Sequence, residues 1–160
     1  MNEFLIDLQE YQLLAVIISA LAYAVFFGIR NTFVLTVVLY IGICALHQAM
    51  QDSLWQAGVM AWYSVYAITD FIYVYVVFFL HDALKIKFCK LSSFILCGFI
   101  FLGFFQISRY LDRVAFKTDY LSDMYTPVIL SVNMTNTIAI SLFAGVSIIY
   151  TITKHFKGKF

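Results

Sequence analysis

Five stretches of this 160-residue sequence are each long and apolar enough to cross a hydrocarbon layer, and this one property restricts the fold most. Crossing about 30 Å takes about 20 mostly apolar residues at about 1.5 Å each. The stretches run approximately over residues 11–29, 32–50, 58–80, 91–107 and 127–152. In lipid only helices or closed barrels satisfy the backbone, and a barrel would show segments of about 10 alternating residues, which this sequence lacks. The sequence therefore predicts an all-α fold: one domain over 1–160, built as a bundle of five transmembrane helices.

Composition agrees. Hydrophobic residues make up 63% of the chain and charged residues 12%, against about 25% charged in a soluble domain, which excludes a water-soluble fold. Ten Lys and Arg against nine Asp and Glu leave no basic surplus for nucleic acid. Cys44, Cys89 and Cys97 are odd in number and have neither a disulfide framework nor metal spacing. The sequence carries no Gly-rich phosphate loop, nucleophile elbow or carboxylate pair set for acid and base work. No catalytic residue, cofactor or metal is expected, and the chain reads as non-enzymatic.

Punctuation marks the span ends. Asp7 and Glu10 have capping-box spacing before the first span, Ser53 and Gln56 before the third, and Thr126 with Pro127 suits an N-cap and first-turn proline for the fifth. Glu3, Asp7 and Glu10 precede the first span where a secretory signal needs basic residues, so that span is expected to stay as an anchor.

Direction follows from positive charge. With the amino terminus outside, the inner side holds seven basic residues, Arg30, Lys85, Lys87, Lys90, Lys154, Lys157 and Lys159, and the outer side only Arg109, Arg113 and Lys117. The carboxyl terminus is then cytoplasmic, and the expected location is the cell (inner) membrane. Omitting the short fourth span would move the lysine-rich tail to the wrong side, which leaves a four-span arrangement as runner-up. Lys85, Lys87, Lys90, Lys154, Lys157 and Lys159 are expected to meet anionic lipid headgroups. Residues 108–126 are expected along the outer surface, with Tyr110, Leu111, Val114 and Leu121 on one face and Arg109, Asp112, Arg113 and Lys117 on the other. Trp55 and Trp62 suit the outer interface as depth anchors, and His81 and Asp82 the solvated inner one.

Asp70 is the most informative residue, because it is the one acidic side chain well inside a span, near the bilayer centre. A central Asp costs about +2.5 to +3.5 kcal/mol, so such residues face protein or water and are by default candidates for ion, proton or ligand sites. Tyr63, Tyr66, Asp70 and Tyr73 are three or four residues apart and share a helix face, so the phenols are available to bond the carboxyl. Matching stripes occur on the second span (Thr36, Tyr40, Cys44, His47, Gln51) and the fifth (Asn133, Thr137, Ser141, Gly145). With the span limits above, His47 lies shallow, Asn133 and Asn136 deeper and Asp70 deepest. His47 and Asp70 come out about 13 Å apart in depth, too far to touch.

Small residues at spacings of four also serve ordinary helix packing in lipid. Thr137, Ser141 and Gly145, like Ala20, Ala24 and Gly28 on the first span, are expected at helix contacts. The leading functional reading is a non-enzymatic multi-pass protein acting by assembly within the bilayer, as a subunit, scaffold or neutralising partner of another membrane protein, or by self-association. The rival is a proton, cation or solute pathway descending from outside to Asp70 through His47, Tyr66, Asn133 and Asn136. A membrane-disrupting lysis protein is a weaker third.

Overall fold

The computed structural model describes residues 3–29 and 31–157, with side chains for 11–29 and 31–155. The chain is all-helical, without strands among the described residues: α1 (Glu3–Phe27), α2 (Thr32–Ala57), α3 (Val59–Ala83), α4 (Lys90–Tyr110) with a π-helical turn at Leu111–Ala115, and α5 (Ser122–Lys157). Four segments, Thr32–Ala57, Val59–Ala83, Lys90–Ala115 and Ser122–His155, are long and apolar enough to cross a membrane, and α1 adds the shorter apolar stretch Tyr11–Phe27.

Local chemistry explains several helix limits. Asn31 caps α2, its side chain accepting from the Phe33 amide at 2.9 Å, and Cys89 caps α4, its thiol accepting from the Ser92 amide at 3.3 Å. Gly28 takes φ +78° just beyond α1 while its amide bonds back to Ala24, a left-handed position that glycine adopts without a Cβ penalty. It thus ends a helix; the packing role expected of it is not what the backbone uses it for. Gly58 does the same between α2 and α3 with φ +98°.

The helices extend further than the sequence boundaries suggested, because polar residues beyond an apolar run still propagate a helix. Asp7 and Glu10 fall inside α1 and cannot cap it; their side chains, like that of Lys157 and the whole of Arg30 and Lys159, lie outside the described residues. Ser53 and Gln56 belong to the last turns of α2, and the cap they were expected to supply for α3 is taken by Gly58. Thr126 and Pro127 lie within α5, which starts at Ser122.

Each helix packs on the next in sequence, and α1 also packs on α5, which closes the bundle into a ring. The core includes Val16, Ala20, Tyr23, Phe33, Val37, Val77, Ile95, Phe99, Ile140 and Ala144. Ala20 is buried there and Ala24 packs against it, while Ser19 of α1 bonds Ser141 of α5 at 3.1 Å. Gly145 contributes no close approach, since a Cβ there would meet nothing within 4 Å. Gly103 does, its would-be Cβ lying 2.8 Å from the Phe71 ring. Large apolar side chains such as Ile18, Leu21, Val38, Ile72, Phe101 and Leu142 point outward.

A polar knot ties the ends of α2, α3 and α4 together near Lys90. The Thr32 hydroxyl contacts His81 Nε2 at 2.8 Å and Ser92 at 3.2 Å, Thr36 meets Ser92 at 2.7 Å, and His81 Nδ1 lies 2.8 Å from the Val77 carbonyl. His81 is 1% exposed and stacks on Phe88, which corrects the expectation of a solvated histidine; Asp82 is exposed as expected. Lys85, Lys87, Lys90 and Lys154 are exposed.

Candidate functional site

All five helices contribute to one cavity of about 370 Å³. Along each helix its lining progresses in the same sense: from Gln51 to Tyr40 on α2, from Trp62 to Asp70 on α3, from Gln106 to Phe99 on α4, and from Thr126 to Thr137 on α5. Gln48 and Thr126, toward the Gly58 end, are exposed, whereas Tyr40 and Asp70, at the other, are 3% and 2% exposed. The site thus descends from one end of the ring toward its middle.

The three polar stripes meet here: Tyr40, Cys44, His47 and Gln51 from α2, Tyr66 and Asp70 from α3, and Asn133 and Thr137 from α5 all line the cavity. His47 Nε2 lies 3.8 Å from Asp70 Oδ1, so the expected 13 Å separation in depth is wrong. The reason is the length of α2. It runs on to Ala57 and turns at Gly58 directly into α3, which brings residues at similar distances from that glycine to one level.

Asp70 is held differently from expectation. The phenols on its stripe bond elsewhere: Tyr66 donates to the His47 carbonyl and Tyr73 to the Thr36 carbonyl, both at 3.2 Å, and Tyr63 accepts from Arg113 at 3.4 Å. His47 Nε2 contacts the Thr69 hydroxyl at 2.8 Å. The buried Oδ1 of Asp70 is left with no hydrogen-bond partner among the described residues, as are Gln12 Nε2 and Thr137 Oγ1 on the same cavity wall. Buried polar atoms are nearly always bonded, and an orphan costs about 1–3 kcal/mol, so three around one cavity mark a place whose polarity is not explained by packing.

Asn136 does not belong to this wall. It is 1% exposed and lies against Gly98 of α4, where a Cβ would come within 3.1 Å of its amide, so it serves the α4–α5 contact. Of the expected packing residues on α5, Thr137 lines the cavity and Ser141 makes the bond to α1.

The end nearest Gly58 carries features that the sequence did not reveal. Trp62, expected only to anchor depth, lines the cavity and donates to the Tyr125 hydroxyl at 3.2 Å, and Tyr125 donates to Gln106 Oε1 at 2.7 Å, linking α3, α5 and α4. Trp55 stacks edge-on against Trp62. Nearby, Arg109 is 2% exposed and pairs with Asp112 and Asp119, both at 2.6 Å, over the Tyr63 ring at 6.0 Å. Asp112 also accepts from the Thr118 hydroxyl and the amides of Tyr120 and Leu121. The expected polar outer face of 108–126 is therefore inverted at its two main charges: Arg109 and Asp112 are buried while Leu111 is 41% exposed. The π-helical turn changes the phase on which the amphipathic reading relied. The one sequence signal was the Arg109–Asp112 spacing of three.

His/Cys/Asp/Glu clusters able to hold a metal are absent among the described residues. Comparison with protein-family models, with curated proteins and with solved structures finds no match to this chain.

Proposed function

We propose that this chain is an integral membrane protein of five spans, amino terminus outside and carboxyl terminus cytoplasmic in a cell membrane, that binds a small cation entering from the outer face. The observation that carries this reading is the cavity shared by all five helices, with Asp70, whose buried Oδ1 has no hydrogen-bond partner, among its lining residues. An intramembrane carboxyl is costly and is by default a site for a positively charged or hydrogen-bonding guest. The lipid setting draws support from the outward apolar side chains on every helix and from the exposed hydroxyls of Ser108, Thr135 and Thr153, each of which donates to a backbone carbonyl of its own helix.

An assembly role draws less support. The small-residue face of α1, expected at helix contacts, packs within the chain through Ser19, Ala20 and Ala24.

Carbodiimide labelling of the protein in vesicles tests the site. A membrane-permeant carbodiimide is expected to modify Asp70, and external lithium, sodium, potassium or methylammonium chloride to slow that reaction, as read by peptide mass. Failure of all four salts to slow it, or no modification at Asp70, overturns the reading.

A further inference from the structure

We infer that the guest of this cavity is a small organic ammonium ion, held by the Asp70 carboxyl and a surrounding cage of aromatic rings. The inference rests on the proposed cation site and specifies its chemistry. Among the described residues lining the cavity, Asp70 is the single acidic one and no Lys or Arg is present. Arg109, the nearest buried cation described above, is engaged by two carboxylates. Apart from His47, which is positive only when protonated and already stands 3.8 Å from Asp70, an anion has no counter-charge there, whereas a cation has the carboxylate.

The remaining lining separates kinds of cation. A calcium ion asks for roughly six to eight oxygen ligands at about 2.3–2.6 Å, usually with more than one carboxylate; this wall provides one, its other oxygens being neutral amides and hydroxyls such as those of Gln48, Asn133 and Thr126. It also presents Tyr40, Trp62, Tyr66, Phe99 and Tyr125. Aromatic faces attract a diffuse cation within about 6 Å of the ring centre, and aromatic cages are the usual solution for alkylated ammonium groups. These rings are held in place by one another and by the backbone. Tyr40 meets Phe99 edge-on at 5.7 Å, Trp62 lies 5.0 Å from Tyr66, and the Tyr66 and Tyr125 hydroxyls are bonded to the His47 carbonyl and Gln106. A fixed cage loses little order on binding. At about 370 Å³ the cavity falls in the range of about 300–1,000 Å³ typical of organic ligands and far exceeds what a bare ion fills.

Choline and its neutral carbon isostere, 3,3-dimethylbutan-1-ol, share shape and differ in charge. Titrated against the purified full chain in mild detergent, with the emission of Trp62 and its neighbour Trp55 as the signal, choline is expected to bind at least about tenfold tighter than the isostere and than potassium. Asp70→Asn is expected to abolish the difference between choline and the isostere. Tyr66→Leu is expected to weaken choline about tenfold, while Tyr66→Phe retains its binding. Equal binding of choline and isostere by the unaltered protein overturns the ammonium inference, and this comparison needs no variant to fold. Protection of Asp70 from carbodiimide by sodium or potassium but not by choline leaves the cation site standing and removes the ammonium. If no salt protects Asp70 and nothing binds, the site itself falls.

Discussion

Replacing Asp70 by Leu is expected to make the protein more stable, the reverse of what most substitutions of buried residues do. The carboxyl is 2% exposed and its Oδ1 has no hydrogen-bond partner. An unsatisfied buried polar group costs about 1–3 kcal/mol, and removing it altogether recovers that cost. Leu is bulkier than Asp, but the side chain borders a cavity of about 370 Å³, so the added methyls have space and overpacking is avoided. The transfer scale gives an upper bound of about 3–4 kcal/mol for exchanging a central Asp for Leu. The smaller figure applies because the carboxyl faces a cavity and His47, at 3.8 Å, compensates part of it. The expected gain of about 1–3 kcal/mol corresponds to a folding equilibrium about 5- to 150-fold more favourable. Reversible unfolding in mixtures of dodecyl sulfate and a mild detergent, followed by far-ultraviolet helicity, measures it without depending on the tryptophans beside the cavity. A loss of 1 kcal/mol or more in Asp70→Leu refutes the reasoning. The carboxyl would then be a structural bond acceptor, and its placement would no longer point to a guest.

Four further outcomes test other parts of the structure. Gly103→Ala is expected to cost about 1–3 kcal/mol because its Cβ would fall 2.8 Å from the Phe71 ring; Phe71→Leu in the same chain should recover most of that loss in the same unfolding assay. Thr32→Val removes the hydroxyl that contacts His81 and should cost about 1–3 kcal/mol by leaving the buried His81 Nε2 unpaired, since Ser92 keeps its contact with Thr36. Arg109→Gln should speed tryptic cleavage after Lys117 several-fold, read by fragment mass, by releasing the turn held through Asp112 and Asp119; Asp119→Asn should do so less, since that side chain is 58% exposed. Cysteines placed at Gln56 or Lys117 should react with an impermeant maleimide added outside intact cells, whereas at Lys87 or Lys154 they should react only after permeabilisation, with the unaltered chain as the blank.

The sequence conveyed the helical class because apolar runs of this length have few structural solutions in lipid, and it conveyed the three stripes that line the cavity because residues three or four apart must share a helix face. Tyr40, His47, Tyr66, Asp70, Asn133 and Thr137 were all identifiable on that ground. Helix ends were not. Hydropathy marks where an apolar run stops, whereas a helix continues through polar residues until a position such as Gly58 or Gly28 turns the chain, and those two glycines were the stop signals that went unread.

The misjudged polar residues share a cause. A charged or imidazole side chain at the end of an apolar run has two stable fates, solvation or a bonded partner from another element, and both give the same local pattern. For Lys85, Lys87 and Lys90 solvation prevails. For His81 the partner is Thr32, distant in sequence, and for Arg109 the partners are Asp112 and Asp119, brought round by a π-helical turn and left-handed backbone at Lys117 and Asp119. Asp70 fits neither fate: it is buried with an oxygen that has no hydrogen-bond partner and His47 3.8 Å away, on a wall that also carries the unbonded Gln12 Nε2 and Thr137 Oγ1. Of the buried charges among the described residues, it is therefore the one whose partner is best sought outside the chain.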